Sequence, residues 1–186
     1  MNKKSDTISQ LMSRRDLMTG VGLGMGAVAA LAMSEAHAGG HSGQPVLTPE
    51  EQKAIEVANA KLVDNFVADY SKLDVDLLLS YVHDDVIYQI TDGMPEVVGI
   101  DAYREHLTPM LSGMESIEWK TLRQFSIGQL VINERVDEFY PPVGGKMPRM
   151  RWWVSGYFLI IDNKIKVWRD FPYPGAKQLL EPAPKA

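Results

Sequence analysis

The sequence predicts an α+β fold in which helices come first and strands follow. Two observations support this prediction. Apolar residues from Ile55 to Tyr70 recur at helical spacing, and the chain beyond residue 117 is dominated by strand signals, in runs that turn residues separate. Helices that precede a run of antiparallel strands are expected to cover one face of a curved sheet. Such a sheet and its helices enclose a conical pocket, where small ligands usually bind.

The first 38 residues have the pattern of a signal peptide. The pair Arg14-Arg15 precedes an uncharged run, 21–33, that is rich in Gly and Ala, and Ala36-His37-Ala38 is a small-residue cleavage pattern. The run falls short of the ~20 residues that a transmembrane helix needs, and the arginine pair indicates twin-arginine export. We therefore expect cleavage after Ala38 and a periplasmic protein without stable membrane association. The alternative is an uncleaved anchor.

Composition narrows the classes of function. Removing 38 of the 186 residues leaves 148, enough for one domain, which we place at 48–180 between a linker (39–47) and a flexible tail (181–186). The removed segment carries a net charge of +1, so the mature chain carries −6 against −5 for the whole. No basic cluster remains, which argues against nucleic acid as a partner. The chain has no cysteine and therefore neither a disulfide nor a thiolate metal site.

Three helices are predicted in the first part of the domain. Thr48 caps the first, over 49–71, and Glu51 completes a capping box. Asp74 caps a short second helix that reaches Tyr81, and the third begins at Asp101 and ends near Pro109. Between them we predict a turn at 83–85, a strand at 86–90 and a loop at 91–99.

Four strands are predicted after the third helix. They cover 117–125, 130–139, 149–161 and 164–170, with turns at 128–129 and 162–163 and a break at 141–145. A last short helix is predicted over 174–180.

Two strand segments carry the candidate chemistry, Asn133-Glu134-Arg135-Val136-Asp137 and Trp168-Arg169-Asp170. Side chains two residues apart on a strand point the same way, so Arg135 shares a face with Asp137, and Trp168 with Asp170. A sheet that joins these faces makes an Asp–Arg–Asp cluster beside an indole. Such a cluster can transfer protons in a dry pocket, or it can be a structural ion cluster that only satisfies itself.

These motifs and the order of elements resemble a known family. The order helix, helix, strand, helix and four strands is similar to the NTF2-like (cystatin-like) fold. Within it, the E-R-x-D strand and the W-R-D segment followed by an aromatic resemble the limonene-1,2-epoxide hydrolase branch. The resemblance spans roughly residues 55–171.

The resemblance implies a cofactor-independent, one-step hydrolysis of a small apolar epoxide. Asp170 would be the base that activates water, Asp137 the acid that protonates the epoxide oxygen, and Arg135 the bridge between them. The family holds the water with a Tyr and an Asn two residues apart. Tyr88 matches the first, but Ile90 stands at the second and offers no hydrogen bond.

Other features of the pocket and two further functions stay open. We expect Ile90, Trp168 and Trp153 to line the pocket, although Trp152 and Trp153 alternate and only one of them can face it. His83 and His106 lack the spacing of metal ligands, so neither a metal nor another cofactor is expected. One alternative is proton transfer of the ketosteroid isomerase or polyketide cyclase type, and the other is a non-enzymatic protein that binds a small apolar ligand.

Self-association is also expected from the sheet. An outer sheet face that carries Val136, Phe158 or one of the paired tryptophans is apolar enough to find a partner. We therefore predict a homodimer through the sheet.

Overall fold

The computed structural model describes residues 46–91, 93–144, 147–173 and 178–180. The expected signal peptide, most of the linker and the expected tail lie outside the described residues. Within the described part of the chain, no helix is both long enough and apolar enough to cross a membrane.

Three α-helices cover the sheet, as the sequence predicts. Helix α1 (Pro49–Asp69) begins with the predicted capping box, in which Thr48 accepts a hydrogen bond from the Glu51 amide and the Glu51 carboxylate binds the Thr48 amide. A 3₁₀ turn (Tyr70–Lys72) follows, and then α2 (Val75–Leu79), which Asp74 caps. Helix α3 (Ile100–Ser112) runs past Pro109, its predicted end, by three residues because Leu111 is buried in the core.

The strands form one mixed, curved sheet. The strands span Val82–Gln89 (β1), Val97–Val98 (β2), Ser116–Ile127 (β3), Leu130–Tyr140 (β4), Met150–Ile161 (β5), Lys164–Pro172 (β6) and Gln178–Leu179 (β7). Their order in the sheet is β2-β1-β6-β5-β4-β3, and β7 pairs with β5. Most neighbours are antiparallel, but β1 runs parallel to β6, so the predicted all-antiparallel sheet is wrong at this pair.

Two predicted elements differ in the structure. Residues 83–85 do not form a turn but belong to β1, where a register shift between Val82 and Ile87 accommodates them and Lys166 on β6 binds Asp85. The predicted last helix is wrong for 178–180, because Gln178 and Leu179 pair with the start of β5. The rest of that helix, 174–177, lies outside the described residues.

The core lies between the inner face of the sheet and the helices. Phe66 on α1 packs edge-on against Trp168 on β6, with ring centroids 5.3 Å apart, and Trp168 stacks on Phe158 at 5.5 Å. Phe158 is fully buried in this core, so its predicted place on the outer face is wrong. This aromatic core lies next to the cavity, because Trp168 packs against Tyr88 in the cavity wall.

Candidate active site

A cavity of about 190 Å³ opens between α3 and the inner face of the sheet. Ligand pockets are usually ~300–1,000 Å³, so this one suits a small molecule. Its polar groups are Tyr70, Tyr88, His106, Asp137 and Asp170. The remaining lining is apolar or aromatic and consists of Ile90, Leu107, Met110, Met114, Trp119, Phe139, Met147, Met150, Trp152, Val154 and Pro172.

Arg135 joins the two aspartates at the wall of this cavity. Its Nε donates to both carboxylate oxygens of Asp137, at 2.9 and 3.0 Å, and its Nη2 donates to Asp170 Oδ2 at 2.5 Å. Arg135 is 0% exposed, whereas Asp137 and Asp170 keep 4% and 5% of their surface and line the cavity. The cation therefore lies behind the two carboxyl groups, and the carboxyl groups face the space that a ligand would occupy.

Several neighbours fix the guanidinium of Arg135 in place. Asn133, two residues earlier on the same face of β4, accepts a hydrogen bond from Nη1 at 3.2 Å. The guanidinium carbon lies 5.1 Å from the ring centroid of Trp119 and 5.6 Å from that of Trp168. A planar cation that is bonded at its edges and packed near aromatic rings has little freedom to rotate. The bridge between the carboxyl groups is therefore rigid.

Gly156 makes room for the bridge. The two aspartates lie on β4 and β6, and β5 runs between these two strands. Gly156 on β5 is the register partner of Asn133 on one side and of Asp170 on the other. A Cβ atom at this position would lie 2.5 Å from Asp170 Oδ1 and 2.9 Å from Arg135 Nη1. The cluster spans β5 only because residue 156 has no side chain.

Burial makes the two carboxyl groups retain protons more strongly than free ones. It raises the pKa of Asp137 to about 6, with a further increase from the charge of Asp170, while Arg135 opposes both effects. Burial also raises the pKa of Asp170, against the hydrogen bonds from Arg135 and Trp168. One arginine cannot neutralise two buried carboxylates, so the pair favours holding one proton and titrates as a unit.

The surroundings of the two carboxyl groups differ. Asp170 accepts one hydrogen bond from Arg135 and one at 2.8 Å from Trp168 Nε1, two residues earlier on β6. Both donors favour its ionised form. Among the described residues, Asp137 accepts hydrogen bonds from Arg135 alone, and it lies against the apolar cavity. This asymmetry favours the shared proton on Asp137, which suits an acid at Asp137 and a base at Asp170.

Tyr88 lies in the cavity wall near this pair. Its ring packs on Trp168 with centroids 4.4 Å apart and contacts the ring of His106 at 5.3 Å. Burial, and next the charge of Asp170, raise the pKa of Tyr88 well above its usual value, so its hydroxyl stays protonated. Ile90 follows β1 and also lines the cavity, as predicted from the sequence.

The tryptophan predictions are partly wrong. Trp152 lines the cavity and Trp153 does not, because Trp152 is the register partner of inward-facing Asp137 and Trp153 that of outward-facing Val136. Trp168 is not part of the lining either. It is buried behind Tyr88 and acts on the site by its hydrogen bond to Asp170.

His106 also lines the cavity, although no motif in the sequence assigns it to the site. It lies on α3 four residues before Met110, and both side chains line the cavity. That spacing was the available signal. Burial lowers the pKa of His106, which favours the neutral ring.

Comparisons with known proteins agree with this geometry. Residues 57–181 match the family model described as the limonene-1,2-epoxide hydrolase catalytic domain. A comparison with curated protein sequences finds no match.

Solved structures show the same fold. An LEH-like epoxide hydrolase from M. tuberculosis is 26% identical, with a TM-score of 0.55 over 63% of this chain and 84% of that one. The epoxide hydrolase/cyclase-like enzyme SalBIII, which acts in pyran ring formation in the polyether salinomycin, is 15% identical, with a TM-score of 0.61 over 67% and 98%. A cystatin-fold protein from Novosphingobium aromaticivorans is 18% identical, with a TM-score of 0.55 over 61% and 97%.

Proposed function

The chain belongs to the family of limonene-1,2-epoxide hydrolase catalytic domains, and from this premise we propose that it opens small apolar epoxides by direct attack of water. The observation that carries the proposal is the buried Asp137–Arg135–Asp170 cluster, whose two carboxyl groups face one small apolar cavity. An epoxide needs a proton donor at its oxygen and an activated water at its carbon. The cluster offers one group for each task.

In the proposed reaction Asp170 and Asp137 act at the same time. Asp170 takes a proton from the water while the water oxygen forms a bond to one epoxide carbon. The C–O bond of the ring at that carbon breaks, and Asp137 gives its proton to the oxygen that is released. The product is a vicinal diol, and one water is consumed.

The net charge of the cluster stays constant through this step, because Asp170 gains a proton as Asp137 loses one. One carboxyl group is ionised and one is protonated both before and after the reaction, so the buried guanidinium always faces a single negative charge. Preorganised charges of this kind need little rearrangement at the transition state. The return of the proton from Asp170 to Asp137, through water that enters after the product leaves, resets the site.

The apolar wall favours an apolar substrate. Much of the lining consists of hydrocarbon and thioether side chains, among them Met110, Met114 and Val154. They can bury a hydrocarbon body but supply no countercharge for an ionised substrate. The thioether side chains are flexible and adapt to irregular shapes. We therefore expect small terpene-like or alkyl epoxides to be better substrates than charged ones.

A single-turnover experiment tests the proposed mechanism. Excess enzyme reacts with a racemic epoxide in ¹⁸O-labelled water, and mass spectrometry measures the label in the first diol formed. Direct attack places ¹⁸O in that diol. An unlabelled first diol would instead show that a carboxylate oxygen of the protein had attacked the epoxide, which would overturn the mechanism.

A second function, proton transfer next to a carbonyl group, has one observation in its favour. Tyr88, whose hydroxyl stays protonated, shares the cavity with Asp170, so a base and an oxyanion donor are both present. Exchange of acidic C–H protons of small ketones into deuterated water tests it. Exchange that depends on Asp170, with no epoxide turned over, would favour this function over hydrolysis.

A further inference from the structure

One polar atom in the cavity wall beside Tyr88 has no hydrogen-bond partner among the described residues. His106 Nε2 is buried, and no described residue hydrogen-bonds to it. Leaving a buried polar atom unpaired is unfavourable. Because the ring lines the cavity, a molecule bound there is the available partner.

A series of contacts connects His106 to the base. Its ring contacts that of Tyr88, and Tyr88 packs on Trp168, whose Nε1 donates to Asp170 Oδ1 at 2.8 Å. His106, Tyr88 and Asp170 all line the one cavity. His106 therefore borders the same cavity as the two groups that would hold the attacking water.

A water that attacks carbon needs a defined orientation. It has two protons and two lone pairs, and one lone pair must point at the carbon. Asp170 accepts one of the protons, and the Tyr88 hydroxyl can donate to the second lone pair. The remaining proton needs an acceptor, and the neighbouring cavity residue Ile90 carries only carbon atoms in its side chain.

We propose that His106 is a positioning residue, whose Nε2 accepts the second proton of the attacking water. This inference rests on the proposed hydrolysis and adds a residue to it. A neutral imidazole with its proton on Nδ1 presents Nε2 as an acceptor. The aspartates supply acid and base, and His106 orients the nucleophile.

Three variants test the inference on an epoxide that the wild type hydrolyses. H106F keeps a flat ring and removes the acceptor, and we expect kcat to fall on the order of a hundredfold, as for a misplaced reactant. KM should change little. H106Q keeps an acceptor and should retain most of the turnover. I90N added to H106F should raise kcat again, because the amide supplies the acceptor from the other position.

His83 provides the matched control. It lies on β1, and the amide of Asp85 donates to its Nδ1 at 3.0 Å. H83F should keep the kcat of the wild type, and thermal melting should show that all variants are folded.

The outcomes separate the inference from the proposed function. Equal kcat in H106F and wild type would overturn the role of His106 and leave the hydrolysis intact. A fall in kcat that neither H106Q nor I90N restores would assign His106 to packing, which also overturns the inference. If the wild type hydrolysed no epoxide, the proposed function would fail first, and the inference with it.

Discussion

Replacing Gly156 by alanine tests whether the Asp137–Arg135–Asp170 cluster depends on the absence of a side chain at this position of β5. The added Cβ would lie 2.5 Å from Asp170 Oδ1 and 2.9 Å from Arg135 Nη1, whereas ordinary contact begins at 3.4 Å. Asp170 would have to move by about 0.9 Å and Arg135 by about 0.5 Å. Both side chains are buried, and the movement would disturb the 2.5 Å bond between them as well as the 2.8 Å bond from Trp168.

The expected effects follow from these distances. Overpacking of this kind costs about 1–3 kcal/mol in the free energy of unfolding. A displacement near 1 Å of a catalytic group lowers kcat on the order of a hundredfold. Urea denaturation and turnover of an epoxide measure the two effects in one preparation.

Gly113→Ala is the control for this substitution. Its nearest added contact, at 3.1 Å, is with the end of the flexible Met147 side chain, which can move. We expect it to change the free energy of unfolding by about 0.5 kcal/mol or less. A Gly156→Ala protein with the stability and turnover of the wild type would show that the cluster does not depend on this gap.

Four further predictions concern charge, assembly and export. The pKa of folded Asp137 is about 6, so this residue keeps a proton that the unfolded chain releases near pH 4. The free energy of unfolding of the wild type, measured by urea denaturation, should therefore fall relative to that of Asp137→Asn as the pH rises from about 4 to 6. Identical pH dependence in the two proteins would contradict this. Arg135→Ala should lower the free energy of unfolding by about 3–5 kcal/mol in the same assay, because two buried carboxyl groups lose their cation. A decrease of less than about 1 kcal/mol would contradict this. The outer sheet face around Val136 and Trp153 should form a homodimer, and sedimentation at the mass of one chain at micromolar concentration would refute that. Mass spectrometry of the periplasmic protein should find Gly39 at the N-terminus, whereas a retained leader would count against cleavage.

Alternation along the strands made much of the site predictable. Because the period of a strand is two residues, Arg135 and Asp137 had to share a face, and so did Trp168 and Asp170, whatever the register of the sheet. The hydrophobic periodicity of α1 and the capping box at Thr48 were equally local, and the structure has them as predicted.

Features set by pairing between distant strands could not be predicted in this way. Whether Trp152 or Trp153 faces the cavity depends on their register with β4, which only the folded sheet defines. Gly156 reads as an ordinary strand glycine until Asp170 and Arg135 are placed around it. The burial of His106 Nε2, to which no described residue hydrogen-bonds, could not be predicted either. It depends on how the cavity packs and not on the local sequence.

In the proposed mechanism, Asp170 activates water for the opening of an epoxide. The most direct measurement is diol formation from a panel of small racemic epoxides by the wild type and by Asp170→Asn, each checked for folding by thermal melting. We expect turnover by the wild type and a loss of turnover on the order of 10²–10⁴ in the variant, the usual range for a general base. Equal rates in the two proteins would remove Asp170 from the mechanism, and the absence of diol from every epoxide in the panel would contradict the proposed hydrolysis.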